Sequence, residues 1–526
     1  MLNSLNDARR NLGVGILKDV ASHTEQKNCR ACRETFEASS KLFKSLVDLA
    51  GADPGNSRRV QYTFPSSEAL TRLLVPIKSA LHVCIPGTFF FLILSSFLYA
   101  SFLVSDPFSD PGVEFSAHNV FPSDQIHIKS FNQVVEVAAS KAKPKILSLE
   151  TTCGRKIKFL CKQEKNGDLR KDAHMMEING VINRLLQEDP EGRRRCVRLR
   201  TFSVICLNEE CGILEWVDNT STLRNLIKEA HSFWAEAYPF IDTREFHDAF
   251  KRNQEENWCD IELMTTTYKD LVLSKYRPYL HRWFLEKYND PTEWMDARMT
   301  FTRSTAIWSV VGHIVGLGDR HTENILVDTM NGELVHVDFD CLFDKGLTLQ
   351  RPEIVPFRLT PNVVDAMGVC GIEGVFRKTM EMGMFLLRGN KDTLLSILEP
   401  FLRDPTVAWS RSGRAQQYQQ QQQQQQHKQS RGFTRNGGEH DNADAKDALL
   451  KISSRLDGVY NIYHPRAPDI SKACSERGII LASRGLGAKF EDSLPLSVQG
   501  QVQRLIDEGT DDANLAQMFL GWTGWL

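Results

Sequence analysis

The segment Gly316-Leu317-Gly318-Asp319-Arg320-His321-Thr322-Glu323-Asn324, followed by Val335-His336-Val337-Asp338-Phe339-Asp340, leaves the backbone few choices. An apolar helical pattern over Thr292–Val315 runs into a glycine pair, so the chain must turn sharply there. A carboxylate, an imidazole and a carboxamide follow within six residues, at Asp319, His321 and Asn324. The apolar run Ile325–Val327 reads as a strand and Asn331-Gly332 as a hairpin turn, and a second strand delivers Asp338 beside the first group. Two oxygen donors on adjacent strand ends, Asn324 and Asp338, suit Mg²⁺, which takes a few protein oxygens and leaves its other positions to phosphate and water. Asp319 is then free to orient a hydroxyl nucleophile, and His321 to stabilise charge developing on phosphate. The chemistry implied is phosphoryl transfer. Taken singly, an Asp or Asn after a helix is a cap and a lone His is core or surface; the four together carry the inference. GLGDRH is not a dinucleotide loop, because the third glycine and the preceding strand are missing.

The chain has 526 residues, enough for about three to four domains. Its formal net charge of −2 supplies no global field toward nucleic acid or anionic lipid. Twelve cysteines are too few for a disulfide scaffold, and Cys29 and Cys32 lack the two further ligands of a zinc site, so that pair reads as structural. The start, MLNSLNDARR, has no apolar core of a signal peptide, and a reduced intracellular compartment is expected.

Residues 1–84 read as helices, with Leu42, Leu46 and Leu49 at helical spacing. The uncharged 17-residue run 88–104 sits at the lower limit for a membrane span. Three readings stay open: a translated intron or tolerated insertion, a buried core segment, and a membrane span. Residues 140–217 alternate like strands around one helix, with Asn208–Gly212 as a hairpin loop. Residues 221–400 read mostly as helix, including Tyr268–Lys287 and Thr292–Val315. A glutamine run at 419–426, followed by Gly, Asn and Asp, is too poor in apolar residues to pack. Near the end, Ser497 caps a helix with Val498, Val502, Leu505 and Ile506 on one face, and Thr510-Asp511-Asp512 restarts a second with Leu515, Met518 and Phe519 inward. Trp522 and Trp525 would be a sticky surface if exposed, so the tail is expected to be docked or membrane-facing, and the lack of a basic face on either helix argues for docking.

D-R-H-x-x-N followed by D-F-x resembles the phosphoinositide-3-kinase-related protein kinases and their lipid-kinase cousins. Leu169–Asp172, Arg193–Arg195, Arg200-Thr201, Cys211–Val217 and Pro352–Thr360 resemble the family's ATR-type branch of checkpoint kinases. The resemblance implies an α+β, bilobal PI3/PI4-kinase-like fold: a small β-rich N-lobe over 120–218 and a helical C-lobe over 219–405. It places a helical FAT remnant at 1–84, a linker with the apolar insertion at 85–119, a regulatory linker at 406–493 and a FATC tail at 494–526. ATP and Mg²⁺ are the implied cofactors, with Mn²⁺ an alternative. Asp319 and His321 would be catalytic, and Asn324 and Asp338 would hold the metal. Lys162 corresponds to the lysine on the ATP phosphates, and Asp172 to the acid that positions it or the metal–phosphate group. Thr151 and Thr152 lie in the turn over the phosphates. Trp216 and Val217 resemble the hinge against adenine, although Trp216 also reads as core. The tail would dock on the activation segment, Leu342–Thr360.

The chain departs from the family pattern in places. The loop after Lys162, Gln163-Glu164-Lys165-Asn166-Gly167, is two residues longer than usual, which makes Lys165 a competing phosphate ligand. Thr322 stands where a glycine is usual; Asp340 stands in place of the D-F-x glycine, which the ATR-type branch commonly lacks, and the nucleotide turn has no glycine-rich run, which is normal for the family. A phosphoinositide kinase is the first alternative, but residues 341–360 carry only Lys345, Arg351 and Arg358, scattered, rather than a basic box. A pseudokinase is the second, but the four loop groups are all present. The resemblance further implies substrates with Ser or Thr followed by Gln, an ATRIP-like regulatory subunit, DNA only through partners, no membrane partner, and the nucleus.

Overall fold

The structure, a computed structural model, describes residues 30–55, 57–66, 70–71, 73, 75, 127–138, 143–164, 169–208, 210–233, 252, 260–274, 277–349, 352–403, 437–459, 495–519 and 522. The apolar run 88–104, the glutamine run, Cys29, Lys165 and Trp525 lie outside them. Among the described residues no helix is long and apolar enough to cross a membrane. The fold is α+β and divides into two compact units.

The first unit is sheet-rich and holds residues up to Glu177 together with Thr201–Asp218. Helix α1 (Arg30–Gly51) precedes strands β1 (Arg59–Gln61), β2 (Ile128–Phe131), β3 (Val134–Val137), β4 (Lys145–Thr151) and β5 (Lys156–Gln163). Helix α2 (Leu169–Glu188) starts in this unit, and β6 (Val204–Cys206) and β7 (Cys211–Glu215) complete the sheet. Its order is β1-β3-β4-β5-β7-β6, with β2 also paired to β4, and every pairing is antiparallel. Residues 59–61, expected as helix, are thus a strand: Val60 pairs with Val135 across a register that local periodicity does not reveal. Gly212, expected in the loop, lies in β7, because the Asn208 side chain takes the Cys211 N–H and closes the turn early.

Helix α1 buries Leu42, Leu46 and Leu49 against β5 and β7, with Phe159 and Cys161 in the same core. Lys145 donates its Nζ hydrogen to the Ala50 carbonyl (2.7 Å), satisfying an orphan acceptor at the helix C-terminus. Because strand side chains alternate, Phe159 and Cys161 face that core while Lys158 and Lys162 take the opposite face.

The second unit is helical and holds residues 178–200 and Asn219 onward, apart from 405–407. After α3 (Pro190–Arg194) come β8 (Thr220–Thr222), α4 (Leu223–Phe233), α5 (Ile261–Thr267), α6 (Leu280–Lys287) and α7 (Pro291–Val315). A hairpin of β9 (Ile325–Asp328) and β10 (Leu334–His336) follows, then α8 (Pro361–Ala366), α9 (Val375–Gly389) and α10 (Lys391–Arg403). Helix α11 (Gly437–Leu456) and the tail helices α12 (Val498–Thr510) and α13 (Asp512–Gln517) complete it. The single helix expected over Tyr268–Lys287 is interrupted: a π-helical turn spans Tyr268–Leu273, and α6 begins after Pro278, which bars Arg277 from helical backbone.

Helix α7 is the hub. Asp290 caps it through Thr292 N (2.8 Å) and Glu293 N (3.1 Å), with Pro291 at its first position. From Phe301 to Val315 it is buried almost all round, with α6, α9, α11 and β10 in contact. Asp290→Ala is expected to cost about 1 kcal/mol and Phe301→Ala about 3–5 kcal/mol in urea unfolding of the chain. Equal losses would show that the cap holds this helix as strongly as the core does.

Candidate active site

Helix α7 ends at Gly316, whose left-handed φ of 63° returns its N–H to Gly312 and His313. A side chain at Gly316 would also meet Asp344 N at 2.6 Å. The loop then reverses into β9, which pairs antiparallel with β10 in register Ile325↔His336. Asn324 O accepts from Val337 N (3.1 Å), so the strand ends that carry Asn324 and Asp338 are joined directly. Arg198 holds the hairpin through a two-pronged bond to buried Glu333 (2.8 Å each), and Arg200 bonds Asp328.

The structure brings the four loop residues together. The Asn324 side-chain nitrogen donates to Asp319 O (3.0 Å) and lies 3.5 Å from Asp319 Oδ2. His321 Nε2 is 4.0 Å from Asp319 Oδ1, and His321 Nδ1 accepts from Glu323 N (3.2 Å). Asp319 and Asp338 both sit at left-handed φ, 59° and 63°, in which non-glycine residues persist only when their surroundings hold them. Burial pushes the Asp319 carboxyl above the usual carboxylate range; His321 and Arg320 oppose that rise and Asp338 and Asp340 add to it. The donor set fits a hard divalent cation, because Asn324 spends its nitrogen on Asp319 and keeps its oxygen, and Asp338 adds a carboxylate.

Sequence reasoning gave Arg320 no role. It is 2% exposed and donates Nε to Gly318 O (2.9 Å), Nη1 to Val337 O (2.9 Å) and Nη2 to Asp338 O. One guanidinium thus fastens both sides of the loop. The signal available was an arginine lying between two functional residues. Glu353, also given no role, lies within the quoted Pro352–Thr360 motif, and its carboxylate accepts from Asp319 N.

In the sheet-rich unit the turn after β4 is closed by Thr151, whose buried hydroxyl accepts from Arg155 N (2.9 Å) and donates to Arg155 O (3.0 Å). Thr152 is exposed, and its N–H donates to His127 O (2.9 Å). Lys162 pairs with Gly212 across β5 and β7, and its Nζ lies 2.8 Å from Glu164 Oε1, in the lengthened loop. Asp172 is buried in the first turn of α2. Trp216 N donates to Lys158 O (3.1 Å) and its side chain is 37% exposed, whereas Val217 is buried. An indole with that much surface left in solvent is not core.

The tail is docked. Trp522 is 3% exposed and shares a core with Met264, Tyr268, Val272, Ile354, Val355, Leu515 and Met518. Phe519, expected inward, is 56% exposed: α13 ends at Gln517 and Met518 is extended, which breaks the helical spacing.

A small antiparallel sheet unit and a helical unit carrying this loop and hairpin define a PI3/PI4-kinase-like fold. Residues 156–411 match the family model of the phosphatidylinositol 3- and 4-kinases, and 495–526 match the FATC domain. The chain belongs to the phosphoinositide-3-kinase-related kinase family. It is 38% identical over 394 residues to the serine/threonine-protein kinase ATR of Oryza sativa subsp. indica, covering 74% of this chain and 12% of the relative. It is 36% identical over 410 residues to protein kinase rad3 of Schizosaccharomyces pombe, covering 78% of this chain and 15% of the relative. The chain therefore spans a small part of the length of these relatives. Among solved structures it resembles the open conformation of CtTel1, with a TM-score of 0.70 and 25% identity over 97% of this chain and 16% of that one.

Arg320→Lys retains a charge but cannot span three carbonyls. It is expected to destabilise the helical unit by about 3 kcal/mol, measured by thermal unfolding against wild type. Unchanged unfolding would show that the carbonyls find other donors.

Proposed function

We propose that this chain carries the phosphotransferase portion of an ATR-type serine/threonine protein kinase, built from a catalytic body over 120–405 and the FATC tail. The observation that supports it most is the Asp319–Asn324 arrangement, which leaves one carboxylate for a hydroxyl and one amide oxygen for a cation. In this reading the substrate hydroxyl oxygen bonds to the γ-phosphorus of ATP, the bond to the bridging oxygen of ADP breaks, and Asp319 takes the hydroxyl proton. His321 faces the charge that develops on the transferred group. Asn324 and Asp338 hold Mg²⁺ (or Mn²⁺), which when bound neutralises phosphate charge. Lys162, positioned with Asp172, meets the ATP phosphates under the turn of Thr151 and Thr152, and Trp216 and Val217 meet adenine.

A protein substrate is favoured over an inositol headgroup by the cations of the activation segment. Arg358 is buried, with Nη1 donating to Arg320 O (3.5 Å), and Lys345 is paired with Asp340 at 2.8 Å, so both point to structural use. The names of the relatives support a serine or threonine acceptor, and the family resemblance extends the proposal to Ser or Thr followed by Gln in DNA-damage and replication-stress checkpoint signalling. An ATRIP-like regulatory subunit, DNA contact only through partners, and a nuclear location belong to the same proposal, as does a regulatory role for residues 406–493.

Incubation with Mg-ATP and peptides differing only in the residue after the acceptor is expected to give transfer that favours Gln and stops on chelation. Transfer to phosphoinositide instead would overturn the protein-kinase reading. Asp338→Asn and Asp319→Asn are each expected to lower the rate by 100-fold or so, by different routes. Asp338→Asn should also weaken Mg-ATP binding, whereas Asp319→Asn should leave it intact. The opposite pattern would reverse the two roles.

A further inference from the structure

Glu353 is a buried carboxylate that the transfer chemistry does not use. Its Oε2 accepts from the backbone N–H of Asp319, and its Oε1 accepts from Trp522 Nε1 (2.9 Å). The loop is shaped around that carboxylate. A Cβ on Gly318 would stand 2.8 Å from Glu353 Oε2, and a Cβ on Gly346 would stand at the same distance. Glu353 N donates to Gly346 O (3.0 Å), fixing its own backbone. The Trp522 ring makes a second connection to the same loop. The Arg358 guanidinium lies over it, 5.3 Å from the ring centroid, and Arg358 Nη1 donates to Arg320 O (3.5 Å). The tail indole is therefore linked to the peptide groups on both sides of the Asp319–Arg320 pair.

We propose that Glu353 is a positioning residue for Asp319, and that the tail completes the relay through the indole N–H of Trp522. Asp319 holds a left-handed backbone, a state costly for a residue with a side chain, so an anchor on its own N–H decides where its carboxylate points. A carboxylate serves both donors at once, one on each oxygen. Burial raises the Glu353 carboxyl and the Asp319 charge adds to the rise; the two donors, Asp319 N–H and Trp522 Nε1–H, and the Arg320 charge oppose it, each favouring the anion. Docking of the tail thus orders the activation segment by apolar burial and, separately, aims the group that meets the nucleophile. The inference rests on Asp319 having the catalytic role given above.

The test uses the full 526-residue chain and two variants. Trp522→Phe keeps an aromatic ring but removes the donor. Glu353→Gln keeps the shape but offers a single oxygen to two donors. Two readouts are taken: amide hydrogen exchange over residues 316–324, and steady-state transfer to a Ser-Gln peptide. Each variant is expected to speed exchange at the Asp319 amide and to lower kcat about tenfold or more, with KM for ATP unchanged within about twofold. The double variant is expected to be no slower than the slower single, because both break one relay. A kcat loss accompanied by an equal loss of ATP affinity, or losses that multiply in the double variant, would overturn the proposal in favour of general tail docking. Unchanged exchange in both variants would overturn it regardless of activity. A wild-type chain that transfers no phosphate, while exchange responds to both variants, would sink the kinase reading and leave the relay standing.

Discussion

The helical unit depends on a guanidinium that water barely reaches. Arg320 donates to three carbonyls, and those carbonyls belong to the end of the turn after α7 and to the strand exit after β10. Without that cation, two stretches separated in sequence would have to orient Asp319 and Asp338 independently. A buried cation is costly unless fully bonded and electrically offset. Here Asp319, Asp338 and Glu353 surround it, and burial still lowers its proton affinity. The Phe339 ring lies 5.8 Å from the guanidinium carbon, and Trp308 stacks near both Phe339 and His336. The aromatic layer beneath the loop therefore shields the charges that the loop has arranged.

From this point the structure extends through α7 and the activation segment. Burial pushes the Asp344 carboxylate, close to Gly316, upward, but the Arg455 and Lys451 cations hold it below the ordinary carboxylate value. Arg455 makes paired bonds to it at 2.7 and 2.9 Å, so α11 grips the same turn from another side. Gln501 in α12 donates to Arg455 O (2.8 Å), and Arg388 donates to Gln501 (3.2 Å), which ties the tail helices to α9 and α11. The tail is part of the body that holds the loop rather than an appendage. Its apolar face supplies the affinity, and its few polar contacts set direction.

The sheet-rich unit follows a different economy. Its core lies between α1 and one face of β5 and β7, and the opposite face carries Lys162. Lys162 is paired with Glu164, a residue of the loop whose length departs from the family pattern. Within the turn after β4, the Thr151 hydroxyl folds the turn while Thr152 is the exposed member of the pair. Local backbone needs have separated two adjacent threonines into different tasks.

Local chemistry was enough to read much of this protein. The spacing of Asp319, His321, Asn324 and Asp338 fixes loop, strand, turn and strand, because only a tight reversal and a hairpin can gather them. Pro291 and the Gly316 turn mark the ends of α7, and Ser497 marks the start of α12, since caps are local events. Of the expectations that failed, some needed partners far away in sequence and others overlooked a local stop. Residues 59–61 became a strand because Val135 offered a ladder edge. The helix expected over Tyr268–Lys287 broke at Pro278, a local stop that the apolar periodicity masked. Phe519 turned outward because Met518 had already reached the tail core. Arg320 and Glu353 show the limit most clearly. Their charges are visible in the sequence, but their roles exist only where carbonyls from 318, 337 and 338, an amide from 319 and an indole from 522 meet. Periodicity and spacing set the elements; the satisfaction of buried donors and acceptors across long sequence separations was decided by the tertiary fold.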